Sequence, residues 1–253
     1  TTKKGVSGKT KFDVNLYTGI NQAVNLPKMM NSTDYLNTVE QAWNNTHATG
    51  VNPYTLEKNR SDLANTNWMD ELFENGRTNS FQLSASGGTD KVTYLMSTGY
   101  FSQDGIVIGK NDSYKRFEFR SNVSAKLSER IQVKSNILLN HQNKMVVSSR
   151  GDSPGIIRHA LLRPPVLSVL KSLDDPTYSV NNPYTDLPFY ESPSNFQSNL
   201  YEWSQNPVAL ASLSNNNQKQ FKLFGNAGVD VDILADRSLK FRSNVGMELN
   251  FNH

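Results

Sequence analysis

The chain has 253 residues, a net charge of +3, a pI near 8.9 and no cysteine. Its Lys and Arg residues are scattered instead of forming the basic stripe that nucleic-acid binding needs, and the lack of Cys excludes disulfides, thiolate metal sites and a catalytic thiol. No run approaches the roughly 18 apolar residues of a membrane-spanning helix, which excludes a helical membrane protein but leaves a transmembrane β-barrel open.

The first predicted element is a strand from Phe12 to Ile20, in which apolar and polar residues alternate. The segment before it, Gly5 to Thr10, ends in Gly-Lys-Thr and resembles a phosphate-binding loop. That loop requires a Gly where this chain has Lys3, and it is followed by a helix instead of a strand. We therefore reject nucleotide binding at this segment.

A long connection from about residue 21 to residue 78 is predicted to contain two helices. Ser32-Thr33-Asp34 precedes apolar residues at helical spacing, which predicts a helix from about Thr33 to Asn45. A shorter helix is predicted near Trp68 to Asn75, begun by Asn67 and ended by Gly76.

Four further strands are predicted in the middle of the chain, at Phe81 to Ala85, Val92 to Tyr100, Phe117 to Leu127 and Ile131 to Leu139. The first pair and the last pair are joined by short polar turns typical of hairpins. A longer connection of about 15 residues is expected around Asp104 to Tyr114.

The second long connection runs from about residue 141 to residue 220. A helical turn is expected near Gly155 to Leu162, where Pro164-Pro165 ends it. The rest, which includes Pro207, is expected to be irregular. Two more alternating segments follow, at Phe221 to Ile233 and Leu239 to Phe251, with a short turn between them.

Every second residue of the seven segments, 38 positions that begin with the first residue of each, is uncharged. The alternate positions carry charged residues such as Asp13, Glu118 and Glu248. Period two over about ten residues, with one uncharged face, indicates strands with one side in lipid and the other facing a lumen. Short and long connections alternate along the chain, so an antiparallel meander would place all short turns at one rim.

The residues of the charged face are predicted to face the lumen of a barrel. The residues that we assign to it are Arg120, Lys134, Asp230 and Arg242. Asp230 and Asp232 could form a catalytic carboxylate pair, but ion pairing across strands is the better interpretation. Aromatic residues near the long-connection ends of the strands are expected to form an interfacial girdle: Tyr100, Tyr114, Phe117, Phe221 and Phe251.

The long connections also carry aromatic residues that could stack on a ligand, although such connections need small cores of their own. The candidate ligand-binding residues are Trp43, Tyr54, Trp68, Tyr184, Tyr190 and Trp203. The four histidines are too far apart in sequence to suggest a metal site. No Ser nucleophile motif occurs, so we expect no catalytic residues, no metal and no cofactor.

Several segments resemble, in order and spacing, the SusC/RagA-like TonB-dependent outer-membrane transporters. The residue blocks are TTKKG (Thr1 to Gly5), LPKMMNSTDYL (Leu26 to Leu36), NTNWMDELF (Asn65 to Phe73), FQLSASGGTDKVTYLMSTGYFSQDGIVIG (Phe81 to Gly109), YKRFEFRSNVSAKLSERI (Tyr114 to Ile131), NPVALAS (Asn206 to Ser212) and LKFRSNVG (Leu239 to Gly246). The block from Phe81 to Gly109 is the most specific, because its turn, glycine and aromatic positions all fit.

This resemblance implies an all-β chain whose seven strands form a sector of a 22-stranded transmembrane barrel, with long, partly helical extracellular loops. Residues 1–9 would end the plug domain and residues 10–253 would form the N-terminal part of the barrel. Such proteins import oligosaccharides or peptides across the outer membrane, together with a SusD-like surface lipoprotein and with energy from the TonB complex. Since the chain lacks an initiator Met and ends inside an alternating segment, we expect it to be part of a longer protein.

A soluble or surface-exposed β-sandwich that binds carbohydrate is the alternative, because its strands would also have one apolar face. A sandwich requires connections that cross between two sheets, whereas the order of short and long connections here favours one meander.

Overall fold

A computed structural model describes residues 5–47, 49–147, 155–191, 197–201 and 203–253, and for residues 189–191 and 197–199 the backbone alone. Seven of its strands form one antiparallel sheet. They are β1 (Gly8–Asn21), β2 (Gly76–Gly88), β3 (Val92–Asp104), β4 (Ser113–Lys126), β5 (Ile131–Met145), β8 (Asn217–Asp232) and β9 (Lys240–Asn252). Two short strands, β6 (Phe189–Glu191) and β7 (Gln197–Asn199), pair separately.

The sheet is an up-and-down meander with the order β1-β2-β3-β4-β5-β8-β9. The short turns β2–β3, β4–β5 and β8–β9 lie at one end, and the connections β1–β2, β3–β4 and β5–β8 lie at the other. The predicted meander is therefore confirmed. In the residues described, no second sheet covers the seven strands, and apolar side chains such as Phe12 (70% exposed) and Val245 (71% exposed) are uncovered. The sandwich alternative is not supported.

The strands extend further toward the long connections than their apolar alternation predicts. β5 continues to Met145, and β4 begins at Ser113. As a result the β3–β4 connection comprises only residues 105–112, and the prediction of about 15 residues was wrong. Backbone pairing continues there because the neighbouring strands supply hydrogen-bond partners even where the side chains have become polar.

The described residues of the connections contain five helices: α1 (Ser32–Thr46), α2 (Pro53–Lys58), α3 (Trp68–Leu72), α4 (Ile156–Leu162) and α5 (Pro207–Leu213). The predictions for α1 and α4 are confirmed. As predicted, Asn67 caps α3 by accepting a hydrogen bond from the Met69 amide, but the helix ends at Leu72 and Gly76 instead begins β2. No helix in the described part of the chain is long and apolar enough to span a membrane.

Helices α2 and α5 were not predicted from the sequence, although both begin with the same sequence motif. An Asn caps each helix with its side-chain oxygen, and a Pro follows at the first helical position. Pro is favoured there because its fixed φ suits the helix and its missing N–H has no intrahelical partner to lose. The prediction that the chain around Pro207 is irregular was therefore wrong.

The buried core lies entirely in the connections. Every apolar side chain that is buried among the described residues lies outside the seven strands. The buried apolar residues are Leu36, Trp68, Met69, Leu72, Val107, Val147, Ile156, Ala160, Val166, Leu167, Leu200, Tyr201, Val208 and Ala211. We call these residues, together with the helices that carry them, the loop cluster. The sheet consequently has no hydrophobic core of its own.

The β3–β4 connection joins the sheet to the loop cluster. Its Ile108 amide donates to the Leu72 carbonyl oxygen at 2.9 Å, and the Asn111 side-chain amide donates to the Ala211 carbonyl oxygen at 2.8 Å. Gly109 has φ +94°, and a Cβ at this position would lie 3.0 Å from the Ser212 Cα atom. Only a glycine fits both the backbone conformation and the close approach of α5.

We predict that this chain, produced alone in water, aggregates. The outer edges of β1 and β9 have no partner strand among the described residues, and the apolar face is uncovered. Analytical ultracentrifugation and thermal melting without detergent provide the measurement. A monodisperse sample that unfolds cooperatively would contradict the prediction.

Candidate functional site

The strand register brings the predicted uncharged positions that lie within the seven strands onto one face of the sheet. Phe12 lies opposite Ala85, and Ala85 lies opposite Met96. Directly opposed residues point to the same side of the sheet, so the uncharged positions of these strands share one face. At the far edge Val133 lies opposite Val229, and Val229 lies opposite Ser243. We call this side of the sheet the apolar face and the other side the polar face.

An aromatic row crosses the apolar face near the long connections. Its members are consecutive cross-strand neighbours: Phe81, Tyr100, Phe117, His141, Phe221 and Phe251. The four Phe residues and the Tyr residue of this row are between 39% and 60% exposed. Aromatic residues at one level are typical of a membrane interface.

Tyr114 is not part of this row, and its assignment to the girdle was wrong. Since it lies three residues before Phe117 in the same strand, its side chain is on the polar face. There its ring is 5.9 Å from that of Phe101, and its hydroxyl donates to the Gln142 Oε1 at 2.8 Å.

The height of the apolar face matches the hydrocarbon layer of a bilayer. Phe221 and Val231 mark its two ends on β8. The ten residue steps between them span roughly 34 Å along the strand, or roughly 24 Å along the membrane normal at a tilt of about 45°. Transmembrane barrels have an apolar band of about 25 Å.

The four residues predicted to face a lumen, Arg120, Lys134, Asp230 and Arg242, share the polar face. Asp230 forms an ion pair with Lys134 and lies 4.0 Å from the Arg242 Nε. The predicted ion pairing across strands is confirmed, and Asp230 is therefore not a free catalytic carboxylate. That this face lines a lumen stays a prediction.

Further ion pairs occupy the same face. Asp232 lies 3.7 Å from the Lys240 Nζ, and Lys222 pairs with Glu248 at 2.7 Å. Glu118 lies between Arg116 at 3.5 Å and Arg120 at 4.0 Å. All these pairs are partly exposed to solvent, so each one contributes little to stability.

An apolar patch on the polar face was missed by the sequence analysis. Leu138 lies opposite Phe224, whose side chain is 38% exposed, and Leu95 lines the same concave surface. The signal was present, because Leu138 and Phe224 interrupt the polar positions of their strands.

Two of the candidate ligand-binding aromatics are held by the loop cluster. Trp68 is 1% exposed, and its Nε1 donates to the Pro164 carbonyl oxygen at 3.0 Å. Tyr54 is half-buried, with its hydroxyl donating to the Leu200 carbonyl oxygen at 2.6 Å. Trp68 therefore packs in the core and has almost no surface left for a ligand.

The other candidates differ in accessibility. Trp43 stacks on His47 with a centroid distance of 4.2 Å at the end of α1. Tyr184 and Trp203 line one cavity of about 600 Å³, together with Asn182, Leu187 and Leu213. Trp203 is 45% exposed there. The side chain of Tyr190 lies outside the described residues.

Below this cavity lies a buried polar cluster that the sequence analysis missed. Arg163 is 2% exposed and donates to the carbonyl oxygens of Thr185 at 2.6 Å and Ser204 at 3.1 Å. Burial lowers the pKa of Arg163 to about 10. Its guanidinium lies 5.3 Å above the Trp68 ring, an arrangement that favours the charged form. Arg163 thus ties the cavity wall to the core.

His159, one turn earlier in α4, is also buried in this cluster. Its Nδ1 accepts a hydrogen bond from the Gln205 amide at 3.2 Å, and its ring makes an edge contact with Trp203 at 5.3 Å. Desolvation, with Arg158 and Arg163 nearby, lowers its pKa. Within the described ranges, no group of three or more His, Asp and Glu could hold a metal ion.

Comparison with known sequences shows that the chain is similar to TonB-dependent receptors. No protein-family model matches the chain. It is 30% identical over 187 residues to TonB-dependent receptor P3 of Formosa agariphila, which covers 72% of this chain and 17% of that protein. It is 26% identical over 263 residues to TonB-dependent receptor SusC of Bacteroides thetaiotaomicron, which covers 98% of this chain and 24% of that protein.

Solved structures show the same fold. The chain matches a structure of the RagAB peptide transporter with a TM-score of 0.73 at 17% identity, over 99% of this chain and 29% of that one. It matches the RagAB peptide importer in its "open-open" state with a TM-score of 0.71 at 18% identity, with the same coverage. The chain spans about a fifth of the length of these curated relatives and under a third of the solved chains.

We predict that Val245→Arg in the full-length protein impairs insertion, with a cost of roughly 2–4 kcal/mol at mid-bilayer depth. Val245 lies in the middle of the apolar face on β9. Asn244→Arg is the matched control, because it adds the same charge at the same depth on the polar face. Folding into lipid vesicles, followed by denaturant titration, measures both variants. Equal costs for the two would contradict the assignment of the faces.

A second prediction concerns pH. Since the pKa of His159 is lowered in the folded state, the unfolded chain takes up a proton at a higher pH than the folded chain. The contribution of His159 to stability is therefore present above its ordinary pKa of about 6.5 and is lost as the pH falls below it. Hydrogen exchange of the α4 amides, corrected for intrinsic rates, should show weaker protection at pH 5 than at pH 7. His159→Asn should remove most of this difference.

Proposed function

We propose that this chain, which belongs to the SusC/RagA-like family of TonB-dependent receptors, forms part of the wall of an active transporter in the outer membrane. One observation carries the proposal: the apolar face is uncharged over the height of a bilayer, and no second layer covers it within the described residues. The polar face, with its network of ion pairs, then faces the lumen.

The rest of the wall continues from both edges of this sheet. Backbone N–H and C=O groups on the outer edges of β1 and β9 need partners in lipid, where an unpaired group costs several kcal/mol. Fifteen further strands would complete a barrel of about 22. Residues 1–9 would end the plug, which would pack on the polar face against the patch of Leu95, Leu138 and Phe224.

The loop cluster lies at the extracellular mouth in this proposal. It would form part of the ligand cavity and of the surface that contacts a SusD-like lipoprotein. The cavity lined by Tyr184 and Trp203 suits an oligosaccharide or a peptide, because exposed aromatic rings stack on both. Trp43 and Tyr54 would contribute through their exposed edges. Energy would reach the protein from the TonB complex through a region outside this chain.

The chain is proposed to act by binding and transport, without catalysis. Asp230, the strongest candidate for a catalytic carboxylate, is engaged by Lys134 and Arg242. Ligand capture in the loop cluster and passage along the polar face require no reactive side chain.

We predict that removing the tip of the second long connection impairs ligand uptake or lipoprotein docking but leaves barrel assembly intact. The Lys171 amide donates to the Pro183 carbonyl oxygen at 2.8 Å, so the chain can be rejoined there with little strain. The excised residues, 173–181, include the exposed side chains of Leu173 and Val180.

Uptake of oligosaccharides and peptides, co-purification of the lipoprotein and heat-modifiable gel mobility measure the three properties. A variant with residues 173–181 replaced by Gly and Ser at the same length is the control that separates side-chain contacts from loop length. Normal uptake and normal docking after the deletion would count against this role of the loop.

A further inference from the structure

The charged residues of the apolar face all lie at one end of the sheet. Among the outward-facing positions of the seven strands they are Arg77, Asp104, Lys115 and Lys219. All four are exposed and stand beyond the aromatic row, toward the long connections. At the short-turn end, the outward-facing strand positions with regular register, which leave out the β1 irregularity between Gly8 and Lys11, carry no charge.

Arg77 and Asp104 are opposite charges in directly opposed positions, whereas Lys115 and Lys219 have no carboxylate directly opposite them. Thr78 lies opposite Gln103, so Arg77 and Asp104 are the next neighbours across β2 and β3. Lys115 and Lys219 stand in a single cross-strand row, with Asn143 between them and Ser102 and the backbone of His253 on either side. In the described part of the chain, neither ammonium forms an ion pair with a carboxylate.

The position of the two lysines sets which anion they can reach. Each precedes an aromatic residue of the row by two positions in its own strand, Phe117 for Lys115 and Phe221 for Lys219. Two strand spacings separate them, about 10 Å. Both lysines therefore lie two residues beyond the aromatic row, on the side of the long connections. This is the level of the lipid headgroups, and the aliphatic part of each lysine side chain lies over the apolar face.

We propose that Lys115 and Lys219 form a binding site for the phosphate groups of the anionic glycolipid in the outer leaflet. This inference rests on the proposed function, because that function places the long connections outside the cell. The site faces away from the lumen, so neither the plug nor a transported ligand would cover it. The lipid phosphates supply the ion-pair partner that no carboxylate of the described residues provides for the two ammonium groups.

The test uses the full-length receptor that contains this chain, purified in a non-ionic detergent, with bisphosphorylated lipid A as the probe. Binding is measured by native mass spectrometry. We expect an affinity loss of about fivefold for Lys115→Gln or Lys219→Gln and about thirtyfold for the double variant. Lys144→Gln is the matched control, because Lys144 lies in β5 at a similar height but on the polar face.

Unchanged affinity in the double variant, or an equal loss in Lys144→Gln, would overturn the proposal. Dephosphorylated lipid A tests the wild-type protein without any substitution, and binding as tight as that of the phosphorylated form would also overturn it. Ligand uptake is measured separately on the same variants. Loss of lipid binding with normal uptake supports this site, whereas failure of the lipid assay leaves the proposed transport function untouched.

Discussion

The structure depends on one constraint: the seven-stranded sheet satisfies its backbone hydrogen bonds strand to strand but buries no apolar side chain of its own. A sheet in water is stabilised by packing one face on a second layer, and no such layer covers it in the part of the chain described. Exposed Phe12, Leu16 and Val245 are costly in water and favourable in hydrocarbon. The surroundings of the sheet must therefore supply the stabilisation that a core supplies in a soluble domain.

The loop cluster, unlike the sheet, has a buried apolar core of its own. Its buried Leu72, Ile156 and Ala211 form an ordinary core between helices, and Asn side chains cap the first turns of α3 and α5. Such a core is stable in contact with water, which suits a position above the membrane. The two parts meet through the β3–β4 connection, where Gly109 allows α5 to approach and Asn111 holds it.

Period two was sufficient to predict the sheet because, from the short turns to the aromatic row, each strand has one uncharged face, and the register from Phe12 to Ser243 brings these faces together. The strand ends were not predictable from that period, since beyond the aromatic row the side chains become polar while backbone pairing continues. Tyr114 shows the same limit, because a spacing of three from Phe117 reverses its face. Burial of Trp68 could not be read locally either, since its hydrogen-bond partner Pro164 is 96 residues away. Pro207 was different, because its helix signal was in the sequence and was overlooked.

The separation of the two parts bears on how such a protein can change its ligand. Tyr184 and Trp203 line a cavity whose wall is tied to the core by Arg163, and none of these residues belongs to the sheet. In the proposed function, substitutions on the cavity surface alter recognition without changing a hydrogen bond of the sheet, since Arg163 holds the cavity wall through its contacts with backbone carbonyl oxygens. Changes at Gly109 or Asn111 differ, because these positions couple the loop cluster to the strands. Variation in specificity should therefore concentrate in the second long connection, while the eight-residue β3–β4 connection keeps its length and its glycine.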